Sequence, residues 1–387
     1  MLQKTEISSE KKKSLQVKLI FADSARSADL LYASGFHAAD PFVYFETPER
    51  KGILVSSLEY SRALQQRKKD VEVLEYSRIL PSDAPRSEQE PLLALARYLG
   101  ADSFLVPEDF PLAKARFLEG KGYEISCGSS GSFFPERERK SDEEVEKIRE
   151  SVRAAEEMMQ YLRSLLQEAK VNAGGVLELA SASVTSEFLL RELEGNFKKM
   201  GYSATHTIIA HGVQTASPHD CGSGPIRAGE CIVADIFPRN DVTGYWGDMT
   251  RTFVKGKAPD IVRKAYKAVK DASSEAFAML RPGISGALVH NRALEILKRA
   301  GFETGKDKDG LPCGFIHSLG HGVGLEIHEG PRLSPYNALP LRPGNVVSVE
   351  PGVYYHAWGG VRLEDLALIT LDGVENLNKM EMTLEIP

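Results

Sequence analysis

Between Ile316 and Asp365 the chain crowds glycine against histidine and carboxylate. It reads I-H-S-L-G-H-G-V-G-L-E-I-H-E-G-P, then, after a polar loop, V-V-S-V-E-P-G-V-Y, and then G-G-V-R-L-E-D. His317, His321 and His328, with Glu350 and Glu364, each stand beside glycine or a strand-like apolar run. Glycine lets backbones approach closely and costs chain entropy, so its concentration around polar side chains requires a reason. Two readings stand at this point. One is a set of tight turns on a sheet edge; the other is a metal site, since imidazole and carboxylate are common ligands of first-row divalent ions.

A second stretch, C-I-V-A-D-I-F-P-R-N-D-V-T-G-Y-W-G-D-M-T-R-T-F, reads as a hairpin from Cys231 to Phe253. Asp235 sits in an apolar strand and Asp248 on the returning strand. An unpaired ionised carboxylate in such surroundings is costly. Two facing acids repel unless positive charge lies between them. A metal ion would supply it, or Arg251 would, although one arginine does not easily serve both aspartates.

The chain has 387 residues, more than one compact core usually holds, so two domains are expected. Its 42% hydrophobic and 26% charged residues are ordinary for a globular protein. No apolar run reaches the length of a membrane span. The charge of −6 is mixed along the chain, which excludes the concentrated basic face of a nucleic-acid binder. The first residues carry charge without an apolar run, so no secretion signal is expected there. Lys11, Lys12 and Lys13 read as a solvated terminus. Cys127, Cys221, Cys231 and Cys313 have no paired spacing and read as reduced, inert thiols of a cytoplasmic protein. Cys221 and Cys231 are close enough in sequence to the first acidic motif for one to approach its site, but each reads first as a buried, inert thiol.

Residues 17–126 alternate short strands with helices, which predicts an α/β layer with a parallel or mixed sheet. No phosphate loop or clustered His and acid appears in it. Apolar periodicity gives way to Pro and charge between Phe133 and Ser141. Ser141 with Glu144 then forms a capping box that opens a long helix. Val145, Ile148, Val152, Ala155, Met159, Leu162 and Leu166 form its buried stripe. Further helices are expected over residues 185–200, 259–280 and 286–300, with strands over 207–210 and 230–236.

The order D-I-F, G-D-M-T-R-T-F, H-S-L-G-H-G-V-G-L-E-I-H, V-E-P-G-V-Y, G-V-R-L-E-D resembles the pita-bread metallopeptidases. Among them it is most similar to the Xaa-Pro aminopeptidase and Xaa-Pro dipeptidase (prolidase) group. The resemblance covers nearly the whole chain. It implies an α/β N-terminal creatinase-type domain over residues 1–136 and an α+β pita-bread (creatinase/aminopeptidase) catalytic domain over residues 137–387.

Carried over position by position, the resemblance makes Asp235, Asp248, His321, Glu350 and Glu364 ligands of two divalent ions. Manganese is the first expectation, with cobalt, iron or zinc as alternatives. Asp248 and Glu364 would bridge, Asp235 would hold one ion, and His321 with Glu350 the other. Four carboxylate charges nearly balance two divalent cations. The implied reaction is hydrolysis of the bond after an N-terminal residue, before proline, by attack of a metal-bridging hydroxide. Glu350 is the candidate for moving the proton. His328 and His219 match histidines that hydrogen-bond substrate and intermediate, and His317 one lining the substrate side. Arg362, two residues before Glu364, would brace a ligand carboxylate. A peptide is the implied partner and a homodimer the implied assembly, with no nucleic acid and no membrane. Tyr354, His356 and Trp358 read as pocket or as aromatic core.

The step from Asp235 to Asp248 is two residues longer than is usual in the family. An even insertion keeps both side chains on one face, so the ligands should survive and the loop project further, with Asp241 a surface turn residue. Three alternatives stay open: an aminopeptidase or amide hydrolase of other specificity on the same fold, creatinase-like hydrolysis, and a catalytically silent peptide-binding homologue. Creatinase and the binding modules lack ligands that are all present here.

Overall fold

The computed structural model describes residues 14–81, 83, 85, 87–128 and 132–387. The lysine run at 11–13 lies outside them. Two compact units result, Met1–Pro135 and Glu136–Pro387.

In the first unit the strands pair in the order Glu72–Glu75, Lys51–Val55, Phe42–Glu46, Gln16–Ala22, Ser103–Val106, Glu124–Cys127. Pairing is antiparallel on either side of Phe42–Glu46 and parallel elsewhere, so the sheet is mixed. Alternation along each strand divides the side chains between two apolar layers. Leu19, Val43 and Leu54 face Leu92 and Leu95, and Ile20, Tyr44 and Ile53 face Leu30 and Phe36.

The second unit is built from two similar halves, each a helix pair laid on a sheet. Helix Asp142–Glu168 begins at the Ser141–Glu144 capping box. Its stripe from Val145 to Leu166 is buried, with Met158 and Met159 in the core rather than at a site. Together with Ser186–Lys199 it covers the sheet Ile208–His211, Ile232–Ile236, Met249–Lys255, Glu385–Ile386. In the other half, Asp260–Met279 and Gly286–Arg299 cover the sheet Glu329–Leu333, Gly320–Gly322, Val346–Val349, Asp365–Ile369, Val374–Asn376. A β-bridge between Thr250 and Glu364 joins the two sheets. No helix of the described residues is long and apolar enough to cross a membrane.

Two glycines allow approaches that a side chain would block. A Cβ on Gly247 would lie 2.4 Å from the carbonyl carbon of Ser151, so the long helix presses against the residue before Asp248. A Cβ on Gly320 would lie 1.9 Å from the Ser348 carbonyl oxygen, beside His321.

The hairpin loop between Asp235 and Asp248 is anchored at its base while Val242 at its tip is exposed. Arg239–Asn240 pairs with Tyr202–Ser203. The Asp241 N–H donates to Gly201 O, and its carboxylate accepts from Lys198 at 2.7 Å and Ser203 at 2.6 Å. Those donors, supplied by a distant turn, tie the loop down; Asp241 is a surface turn residue.

Candidate metal centre

The site forms where strands of both sheets end. Asp235 lies on Ile232–Ile236 opposite Thr250, and Asp248 immediately precedes Met249–Lys255. Both acids therefore point to one face, diagonally rather than directly opposed. The Thr250–Glu364 bridge carries Glu364 to the same place. His321 arrives on Gly320–Gly322, and Glu350 directly follows Val346–Val349.

Asp248, His321 and Glu364 each offer a ligand atom, all within 4.8 Å of one another, and all three side chains are buried. His321 Nε2 lies 3.8 Å from Asp248 Oδ2 and 3.2 Å from Glu350 Oε1. Ser348 Oγ donates to Glu350 Oε1 at 3.2 Å and accepts the His321 N–H at 3.0 Å, which fixes both. Thr250 Oγ1 donates to Glu364 Oε2 at 2.7 Å.

The electrostatics are those of a cluster short of positive charge. Burial first, then Asp235 and Glu350, push Asp248 well above the usual carboxylate range. Burial, then Asp248, does the same to Glu364. Burial also raises Asp235, against the pull of Arg362. Burial would raise Glu350 too, but its hydrogen bond to His321 prevails and holds it down to about 2. His321, opposed by burial, is lifted to about 8 by Glu350.

Two further observations show that these residues fit divalent ions. Asp235 Oδ1 is buried without a hydrogen-bond partner, while Oδ2 accepts from Arg362 at 2.8 Å. Such an orphan acceptor in a native interior calls for an ion or water. His321 Nδ1 faces Gly322 O at 3.2 Å, so that once Nε2 gives up its proton its lone pair is aimed at the carboxylates. Metal-binding histidines use this same tautomer. The hard oxygen-rich donor set suits manganese, iron or cobalt better than a thiolate-seeking ion.

Around the acids runs a chain of donors. The Arg362 guanidinium donates to Asp235, to Thr250 Oγ1 at 3.3 Å, to Tyr354 Oη at 3.0 Å and to Pro218 O at 3.2 Å. Tyr354 Oη then meets His317 Nε2 at 2.9 Å, and His317 Nδ1 faces Ser318 O at 2.8 Å. Burial lowers the His317 pKa. His328 stands edge-on to His321, centroids 4.3 Å apart. Partial desolvation, then His321, push His328 down to about 4.

His219 lies a short way off, lining a cavity of about 400 Å³ with Pro218, Asp220, Pro312, Ile316 and His356. Thus Asp235, Asp248, His321, Glu350, Glu364, Arg362, His317 and His328 come together, with His219 at the adjoining cavity. Tyr354 is buried and hydrogen-bonded rather than simply pocket or core, whereas Trp358 stacks on Tyr355 as core packing. His206 has positive φ in a turn, and His211 is held between Glu230 and Ser223 O.

Two expectations fail. Arg251 serves neither aspartate: it is buried on the opposite face of its strand and pairs with Asp365 at 2.7 Å. Cys221 is exposed rather than a buried thiol, whereas Cys231 is buried, its pKa raised to about 12 by desolvation. Thr250 and Ser348 hold Glu364 and Glu350, and the sequence motifs do not single them out. Their positions two residues from Asp248 and Glu350 were the available signal, since strand residues at that spacing share a face.

The fold is the pita-bread fold of prolidases and aminopeptidases, and in it Asp248, His321 and Glu364 form a group that could hold a metal ion. The model of metallopeptidase family M24 matches residues 146–371, and the chain belongs to that family. It is similar to an Xaa-Pro dipeptidase of Pyrococcus furiosus, 40% identical over 182 residues, 47% of this chain and 49% of the relative. The chain thus aligns with about half the length of that curated relative. The prolidase of Pyrococcus horikoshii overlays with a TM-score of 0.77 at 27% identity, covering 96% of this chain and 95% of that one. An Xaa-Pro dipeptidase from Bacillus anthracis overlays at 0.81 with 23% identity, covering 96% and 95%, and supports the fold alone.

Proposed function

We propose that the chain hydrolyses the peptide bond after an N-terminal residue, before proline, with two divalent ions held by Asp235, Asp248, His321, Glu350 and Glu364. The carrying observation is the buried carboxylate cluster around His321, with the Asp235 oxygen left unpartnered. Similarity to proteins named Xaa-Pro dipeptidase supports the substrate class. Manganese is the proposed ion, peptide the substrate, and a homodimer the assembly.

Bound ions would activate water and polarise the scissile carbonyl. The rest of the work falls to this chain's side chains. Glu350, positioned by Ser348 Oγ at 3.2 Å, accepts a proton from the attacking water and passes it to the leaving nitrogen. His328, neutral at pH 7 because its pKa lies near 4, donates a hydrogen bond where charge develops on the carbonyl oxygen. His317, oriented by Ser318 O and Tyr354, lines the substrate side. The apolar walls of the cavity beside His219, formed by Pro218, Pro312 and Ile316, receive part of the peptide.

The test is hydrolysis of alanyl-proline beside alanyl-prolyl-alanine, with manganese restored after chelation and Asp248→Ala as control. Metal-dependent cleavage before proline, lost in the variant, is expected; the preferred length separates dipeptidase from aminopeptidase. No cleavage with two ions bound per chain would overturn the proline assignment. Failure to bind metal would point to the silent peptide-binding homologue.

A further inference from the structure

Glu329, which follows His328 directly, carries a buried charge that none of the chemistry above uses. Its carboxylate accepts from Lys140 Nζ at 2.6 Å and from Arg137 Nη2 at 2.8 Å. The side chains of Lys140, Arg137 and Glu329 are 2%, 3% and 4% exposed, so the triad is dry. A buried ion cluster is weak grounds for stability, because well-packed apolar residues often serve as well or better. Its location offers another reason.

Glu329 pairs with Gly322 across the sheet, and Gly322 follows His321. The same carboxylate receives the Glu326 N–H at 3.3 Å and lies against the Gly324 backbone, where a Cβ would meet Glu329 Oε1 at 2.5 Å. Arg137 Nη2 also reaches Glu326 Oε2 at 2.9 Å. From the other side, Trp246 Nε1 donates to Leu325 O at 3.1 Å, and the Trp246 N–H to Gly324 O at 2.9 Å. The strap from Gly324 to Glu329 is therefore gripped on both sides, and His328 stands at its exposed end.

We infer that Lys140 and Arg137, through Glu329, are positioning residues that set the angle of His328 for the substrate. The inference rests on the proposed peptidase reading for what His328 then does. An imidazole that must meet developing charge within about half an ångström needs a locked backbone beneath it. The ionic clamp does this from the segment 136–140, with no contact to substrate. A lysine ammonium and an arginine fork occupy separate oxygens of one carboxylate, which defines its plane as an apolar contact could not.

Two measurements on the full chain decide it. The first is hydrogen–deuterium exchange of Lys140→Met, in which Arg137 still neutralises Glu329 and folding is retained. Exchange over residues 324–329 should rise about tenfold while residues 365–369 keep their protection. Unchanged exchange in the strap, or a rise across the whole unit, would overturn the clamp. The second is a double-mutant cycle on alanyl-proline hydrolysis with Lys140→Met and His328→Ala. Lys140→Met alone should lower kcat about tenfold, leave KM within about twofold and be rescued by Lys140→Arg. Placed on His328→Ala it should have no further effect; additive losses would show that Lys140 does not act through His328. Failure of the unmodified chain to cleave the peptide would sink the peptidase reading, and the exchange measurement would still decide the clamp.

Discussion

Arg362 donates to Asp235 Oδ2 across 2.8 Å and leaves Asp235 Oδ1 buried with no hydrogen-bond partner. One oxygen is thus committed to the protein and the other is free for an ion. Arg362→Lys keeps the charge but cannot reproduce the fork that also reaches Thr250, Tyr354 and Pro218. The expected result is manganese affinity weakened about tenfold to a hundredfold by calorimetry, with activity falling in step. Unchanged affinity would show that Arg362 does not orient this ligand.

Metal binding should release protons. Asp248 and Glu364 both have carboxyls raised well above their usual range, first by burial and then by neighbouring carboxylates, Asp235 for the one and Asp248 for the other. Each must be ionised to hold a cation, so manganese affinity of the chelated protein should increase with pH through the acidic range. Titrations at pH 6 in buffers of different ionisation enthalpy should report protons released per chain. His321, with a pKa of about 8, accounts for one released proton; a count no greater than one would mean that the carboxylates are already ionised before the ion arrives.

How far the site could be read in advance depends on the range of each contact. Asp235 and Asp248 share a face because strands alternate every two residues, and an even-length insertion preserves that parity. The same alternation turns Arg251 away from both acids and toward Asp365. The partners of Arg362 required knowing that Gly352 pairs with Arg362 in one hairpin, which brings Tyr354 Oη back within 3.0 Å. Thr250 meets Glu364 where two sheets join, and Lys140 meets Glu329 across 189 residues. No local pattern encodes such pairings. The anchoring of Asp241 has the same origin: Lys198 and Ser203 come from far away in sequence.

Thr250→Val tests the junction between the sheets. Valine matches the shape of threonine but lacks the hydroxyl that donates to Glu364 Oε2 at 2.7 Å. A buried hydroxyl given up to a charged acceptor is worth about 1.5–3 kcal/mol. Manganese affinity should fall about tenfold, and the thermal midpoint of the chelated protein should fall as well, because Glu364 Oε2 and Arg362 Nε both lose their buried Thr250 partner. A large drop in that midpoint with affinity intact would make Thr250 a structural residue only.

His290 gives the fold a separate response to acid. It is 6% exposed, stacked on Phe315 at 5.2 Å, and its Nδ1 accepts the Leu319 N–H at 3.2 Å. That bond needs a neutral ring. Burial, then His317, lower its pKa from 6.5 to about 4. Since the folded value lies below the unfolded one, the unfolded chain takes up the additional proton between those two pH values. The stability contributed by His290 is therefore complete above pH 6.5, declines as pH falls toward 4, and is lost below it. The gap sets an upper limit on the order of 3 kcal/mol. His290→Asn keeps an acceptor near the Leu319 N–H and does not titrate. Urea midpoints of the chelated proteins at pH 7.5 and pH 4.5 should therefore converge, the unmodified chain losing more than the variant. Parallel losses would mean that the imidazole already carries its proton in the folded state, or that its neighbours yield to accommodate one.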